Sequence, residues 1–185
     1  MTDIDFIIEH TNNEKPLTKE KLDYFNSESR LKGFIGPRQC GKTYMLFQDL
    51  ACNAFHVIGD YLVLAPNFPN LLTIRLYLAN CLDQFAIELD EIERSFVHTT
   101  CRLPNGSTIT FASSMSDGLD FIKNNLYRSV YIDEPRISQN FDEIINHFLP
   151  IVTIYKGYIG VFGTIEESFN EYLINKGFDL YYNLD

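Results

Sequence analysis

The chain is short of basic residues: 15 Lys and Arg stand against 25 Asp and Glu, a formal net charge of −10. Proteins that hold nucleic acid by neutralising its phosphates carry a basic surface, so any such grip here must come from a local patch or from a partner. Cysteine is scarce as well. Cys40, Cys52, Cys81 and Cys101 form no C-x-x-C pair and have no matching histidine pair, so neither a zinc site nor a disulfide framework is indicated and a reduced, intracellular setting is expected. No apolar run reaches the length of a membrane span, and the acidic, polar N-terminus does not read as a signal peptide. What the chain does have is 45% apolar residues over 185 positions, enough for one domain with a full core and too short for two of ordinary size.

Within that frame Gly36-Pro37-Arg38-Gln39-Cys40-Gly41-Lys42-Thr43 fits the G-x-x-x-x-G-K-[ST] phosphate loop at every required position. Residues 31–35 before it are an apolar, strand-like run and residues 43–55 after it are helix-like, which is the context the motif needs. Gly36 and Gly41 let the backbone turn its N–H groups inward, so that loop and helix N-terminus together form an anion-binding nest. On this reading Pro37, Arg38, Gln39, Cys40 and Tyr44 belong to the nucleotide-binding stretch, Lys42 reaches the β- and γ-phosphates of ATP, and the Thr43 hydroxyl holds Mg²⁺. Cys40 reads as a small filler and not as a nucleophile. The competing account is a chance Gly-Lys-Thr at a strand-to-helix turn.

A second stretch weakens that competitor. Arg128-Ser129-Val130-Tyr131-Ile132-Asp133-Glu134 has the β-branched and aromatic character of a buried parallel strand, and it ends in two carboxylates. Asp133 is expected to bind Mg²⁺ and Glu134 to orient and deprotonate the attacking water; the plainer alternative is an N-cap for the next helix.

The rest of the chain reads as strands alternating with helices, which makes a three-layer α/β domain with a mostly parallel sheet. Residues 1–16 read as a flexible arm, and a helix capped by Thr18 runs to about Ser27, with Tyr24 and Phe25 either stacking on an adenine or, more simply, packing the helix on the sheet. A strand at 61–65 precedes expected helices at 70–81 and 89–96. Segments 97–103 and 107–112 flank Pro104-Asn105-Gly106 as a hairpin, and 113–125 reads as a loop facing the site. Further on come a helix at 141–148, a strand at 158–162 ending in Gly163-Thr164, a helix at 166–175 and a strand at 178–182. Thr164, a small polar residue at a strand tip, is placed to feel a γ-phosphate or simply to make a turn.

Taken together, these residues resemble the N-terminal ATPase domain of the large terminase subunit, the DNA-packaging motor of tailed phages and related viruses. The likeness spans residues 31–169 and rests on the arginine-containing phosphate loop, a Leu-Ala-Pro-Asn strand end, the hairpin Leu-Pro-Asn-Gly-Ser-Thr-Ile-Thr-Phe, a Gly-Leu loop, Ile-Asp-Glu and Phe-Gly-Thr. It implies a P-loop NTPase of RecA-like, ASCE type in which Arg38 contacts the γ-phosphate, so that Arg38, Lys42 and Glu134 form the catalytic set. Gly163 and Thr164 would match the motif coupling hydrolysis to domain movement. Arg128 and Lys123 are candidates for an arginine-finger-like group acting in trans, and each reads equally well as a solvated surface charge. The implied partners are double-stranded DNA, a portal protein and a small terminase subunit, with the chain working in a homo-oligomeric ring in the cytoplasm of an infected host cell.

Two departures stand out. The chain is expected to lack the nuclease domain that usually follows, either because it is an excised ATPase domain or because its motor has none, and no glutamine of an adenine-binding segment lies between residues 16 and 31. Two other readings compete: the first motor domain of a helicase, which the hairpin before the acidic strand argues against, and a nucleotide-dependent regulatory module that scarcely turns over.

Overall fold

The computed structural model describes residues 18–66, 72, 75–76, 78–79, 90–94, 98–114, 120, 122–135 and 139–183. Along the chain the elements are α1 (Lys19–Asn26), β1 (Leu31–Gly36), α2 (Lys42–His56), β2 (Asp60–Ala65), β3 (Asp90–Arg94), β4 (His98–Arg102), β5 (Thr108–Ser113), β6 (Ser129–Asp133), α3 (Gln139–Ile154), β7 (Ile159–Thr164), α4 (Glu167–Asn175) and β8 (Asp179–Tyr182). β1 and β6 are buried at every position, the pattern of strands covered on both faces. They belong to an eight-stranded sheet in the order β3-β4-β5-β2-β6-β7-β1-β8. From β5 to β8 in that order every neighbouring pair is parallel, and among the described strands β4 is the reversed one, antiparallel to both β3 and β5.

Period-two alternation divides the core into two layers. Phe34, Val63, Tyr131 and Phe162 face one side with Met45, Leu46 and Leu50 of α2 and Tyr24 of α1. Ile35, Leu64, Ile132 and Val161 face the other with Phe141, Ile145 and Phe148 of α3 and Phe169 and Leu173 of α4. The domain is a three-layer, RecA-like α/β fold.

A buried polar network fixes α2 against the sheet. Asp49, on α2, accepts hydrogen bonds from the hydroxyls of Tyr24 (2.9 Å) and Tyr158 (2.5 Å) and from the Asn53 amide (3.1 Å), with the Lys32 ammonium of β1 4.0 Å away. Lys32 also lies over the rings of Tyr24 and Tyr158, at 4.2 and 3.9 Å from their centroids. Burial, and next the charge of Asp49, push the phenols of Tyr24, Tyr131 and Tyr158 well up, which keeps them neutral and donating. A buried carboxylate is stable only when so many donors meet it. Tyr24 is therefore a core residue packed edge-on against Phe34 and Tyr181, and the adenine-stacking alternative for it falls away.

Several expectations change against the structure. Residues 89–96 were expected to be helical, but Asp90–Arg94 is β3, an edge strand paired to β4 with an irregularity between Glu91 and Glu93. Its run of Glu, Ile and Arg favours a helix locally, and the open edge of β4 overrides that preference by supplying ladder partners. α3 runs to Ile154, past the expected end at residue 148, with Pro150 inside it. The proline costs one backbone hydrogen bond, and burial of Phe148 and Val152 on either side holds the helix together. The expected site-facing loop at 113–125 begins with the last residue of β5, and Asp120 and Ile122 are helical, with Ile122 fully buried. The expected arm at 1–16 and most of the expected helix at 70–81 lie outside the described residues; Leu72, Arg75, Leu76, Leu78 and Ala79 of the latter are helical.

The β4–β5 hairpin closes through Leu103, Pro104, Asn105 and Gly106, with Gly106 N–H donating to the Leu103 carbonyl (2.9 Å) and Gly106 at φ +94°. Pro104 supplies the fixed φ of the second turn position and Gly106 the left-handed residue that follows. This turn also caps α2. The Asn105 amide donates to the carbonyls of Ala54 (2.8 Å) and Phe55 (2.9 Å), and the buried Ser107 hydroxyl donates to Ala54 (2.7 Å). Asn105→Ala removes the donor to the Phe55 carbonyl and leaves the Ala54 carbonyl with Ser107 alone, and is expected to lower unfolding stability by about 1 kcal/mol. A urea titration reads this as a lower midpoint at unchanged slope, and an unchanged midpoint would refute the capping role.

Candidate functional site

The site forms where the carboxyl ends of β6, β7 and β1 meet the start of α2. β1 ends at Gly36, and the chain turns through Gln39 (φ +65°) and Gly41 (φ +85°) before α2 begins at Lys42. Gly36 is required by close packing: a Cβ there would lie 2.4 Å from Cys40 Sγ and 3.0 Å from the Asn183 carbonyl. Cys40 thus fills the inside of the loop, as its reading as a small filler anticipates. Gly41 occupies the N-cap of α2 without a side-chain cap, and the first turn of α2 carries no acidic residue. The open N–H groups and the positive end of the helix dipole are left for an anion.

Polar side chains converge on this cup. Lys42 is buried, donates to the Pro37 carbonyl at 2.7 Å and lies 3.6 Å from Glu134 Oε1. Thr43 Oγ1 donates to Asp133 Oδ1 at 3.3 Å. Glu134 sits at φ +45°, a conformation that costs a residue with a side chain of order 1 kcal/mol or more. That kink, held by Glu134 N–H donating to the Phe162 carbonyl (2.8 Å), ends β6 and brings the carboxylate beside the loop. Thr164 Oγ1 lies 3.1 Å from both oxygens of Glu134, and in register Thr164 pairs with Gly36. Gly163 lies beside Ile35 in the same ladder.

Burial, reinforced by the adjacent Glu134 charge, lifts the Asp133 carboxyl to about 6, against the opposing pull of the Thr43 hydroxyl and Lys42. Thr43 and Asp133 are hard oxygen donors side by side, the kind of set that holds Mg²⁺ when waters and phosphate oxygens complete its shell. Among the described residues no cluster of three or more His, Cys, Asp or Glu could hold a metal ion.

The remaining sequence candidates are spread out. Pro37, Arg38, Gln39 and Tyr44 are exposed along the loop and first helical turn. Arg128 precedes β6, its N–H donating to the Asp60 carbonyl at the opposite end of the sheet, and Lys123 is paired with Glu143 of α3 at 2.6 Å and with Asp120 at 3.8 Å. Neither lies with the cup. One residue at the cup escaped sequence reading: Asn183, just after β8, whose amide donates to the Cys40 carbonyl at 3.1 Å. The only hint in the sequence is that a strand following Gly163-Thr164 and a helix returns to the same end of the sheet.

No family model matches the sequence, and no curated protein does either. Solved structures do match in three dimensions. The ATPase domain of the Thermus phage P74-26 large terminase superposes with a TM-score of 0.66 at 16% identity, over 96% of this chain and 84% of that one. The chain has the fold of a large-terminase ATPase domain. The large terminase of a thermophilic bacteriophage in complex with ATP-γ-S matches with a TM-score of 0.60 at 13% identity over 90% of this chain, and the same protein with ADP matches with a TM-score of 0.61 at 14% identity. This chain spans about half of that longer terminase, 44% to 46% of its length. Among the described residues no helix is long and apolar enough to cross a membrane.

Lifting the folded-state pKa of Asp133 above its value in the unfolded chain means that this group supports the fold fully below about pH 4, and that the support is lost as pH rises through about 6. Without nucleotide, wild-type protein should therefore lose up to roughly 3 kcal/mol more stability than Asp133→Asn between pH 4 and pH 8. Urea unfolding across that range checks it; parallel curves for the two proteins would show that Asp133 is not the titrating group.

Proposed function

We propose that this chain is a single ATPase domain of a viral DNA-packaging motor of the large-terminase type, hydrolysing ATP to move double-stranded DNA into a procapsid. The observation that carries the reading is the convergence of Lys42, Thr43, Asp133, Glu134 and Thr164 on one cup, in a fold shared with a large terminase solved in complex with ADP and with ATP-γ-S.

In this mechanism the loop N–H groups and the N-terminus of α2 take the β- and γ-phosphates, and Lys42 moves its ammonium from the Pro37 carbonyl to phosphate oxygen. Arg38 reaches over the γ-phosphate from the exposed rim. Thr43 and Asp133 would hold Mg²⁺, which when bound would supply positive charge against that of the phosphates. Glu134, its side chain 42% exposed and so open to water, orients the nucleophile and accepts its proton. Thr164, bonded to both carboxylate oxygens at rest, releases or regains Glu134 as the γ-phosphate comes and goes, and with Gly163 passes that change into β7.

The acidic balance of the chain fits a motor whose main DNA grip comes from a local patch or another component. Working as a homo-oligomeric ring with a portal protein and a small terminase subunit, each domain would receive a cation from its neighbour, for which Arg128 and Lys123 are the candidates.

Glu134→Gln should bind ATP-γ-S within about twofold of wild type while turnover falls about 100-fold or more, because the cradle survives and the base does not. Calorimetry and a phosphate-release assay read the two quantities; hydrolysis at the wild-type rate would remove Glu134 from its role.

A further inference from the structure

The phosphate loop is held from behind by a residue that no motif includes. β8 runs parallel to β1, with Tyr182 opposite Ile35, and the next residue, Asn183, is 5% exposed. Its backbone N–H donates to the Ile35 carbonyl at 2.8 Å, where the chain enters the loop. Its side-chain amide donates to the Cys40 carbonyl at 3.1 Å, where the chain leaves it. One residue thus spans both ends of the turn.

The orientation of that amide is fixed by chemistry. Turned over, it would set its oxygen against the Cys40 carbonyl oxygen, so the nitrogen must face the loop. Among the described residues the side-chain oxygen is then left buried with no hydrogen-bond partner. A buried amide using one bond and forgoing its acceptor side is costly, and packing alone would be better served by an apolar residue of the same shape.

The effect on the cup follows from peptide geometry. In a trans peptide the carbonyl and the N–H point in opposite directions, and the carbonyl of Cys40 shares its plane with the N–H of Gly41. Fixing the carbonyl outward on Asn183 turns the Gly41 N–H away from Asn183, toward the concave side. Side-chain crowding does not set the left-handed backbone of Gly41, since a Cβ built there meets no described atom within 4 Å; its carbonyl is tied into α2 by Met45 N–H at 2.9 Å, and Asn183 holds the peptide on its other side. We infer that Asn183 is a positioning residue for phosphate binding, holding the Cys40–Gly41 peptide so that the Gly41 N–H is aimed at the phosphate before the nucleotide arrives. The inference rests on the reading of the cup as a triphosphate site.

The test compares wild type with Asn183→Leu, which keeps the volume and removes the donor, and with Asn183→Ala as a second variant where the leucine disturbs folding. ATP-γ-S affinity is read by calorimetry, thermal stability by circular dichroism, and the Gly41 amide by its ¹H–¹⁵N resonance with and without nucleotide. A preorganising contact of this kind predicts affinity about tenfold weaker, with a reduced nucleotide-induced shift at Gly41, while the unliganded Asn183→Leu melts at or above the wild-type temperature. Wild-type affinity and wild-type Gly41 shifts in whichever variant folds would overturn the positioning role and leave the nucleotide site standing. Failure of the wild type to bind ATP-γ-S would instead overturn the site reading, and this inference with it.

Discussion

A single ammonium group, that of Lys42, governs how the charges at this site coexist. It is buried beside two acidic residues, of which Asp133 is itself nearly inaccessible. Without a cation among them, two carboxylates on consecutive residues would repel each other, and the buried one would also lose its hydration. Part of the strain is relieved by the rise of the Asp133 pKa and part by the exposure of Glu134. Three of the side chains that converge on the cup have resting partners within the protein: Lys42 on Pro37, Thr43 on Asp133, Thr164 on Glu134. Ligand entry on this account exchanges one set of hydrogen bonds for another, so the net cost of opening the cup stays small.

The sheet makes this coexistence geometrically possible. β7 lies between the strand that feeds the phosphate loop and the strand that carries the acids, and it is in register with both, Gly36 opposite Thr164 and Asp133 opposite Phe162. Thr164 is therefore next to the loop and to Glu134 at the same time. On the face that carries α2, the Asp49 network fastens that helix to β1 through Lys32 and to the residues flanking β7 through Tyr158. A helix that carries Lys42 and Thr43 at its first turn is useful only if its axis cannot drift, and buried, fully met polar groups confer that kind of fixity.

How much of this was legible in the sequence depends on whether the cause was local. The phosphate loop and the Asp133-Glu134 strand end are each written in a few consecutive residues, and the alternating strands and helices follow from periodicity, so loop, acids and layer order could be read in advance. The strand at Asp90–Arg94 could not, because its conformation comes from the free edge of β4 and contradicts its own helical propensity. The continuation of α3 through Pro150 depends on apolar contacts with the sheet that a local breaker rule ignores. Asn183 was invisible for the same reason: its bonds cross 143 residues to Cys40. The double role of Asn105, in its turn and as a cap for α2, likewise needs the fold before it can be seen.

The most direct test of the account is the binding of ATP-γ-S in the presence of Mg²⁺, measured by calorimetry for wild type and for Lys42→Met. The account predicts one site per chain in the wild type and a loss of affinity of at least about tenfold in the variant, since the methionine keeps the stem and removes the charge that meets the phosphates. Equal affinity in the two proteins would place the nucleotide somewhere other than the cup and contradict the account.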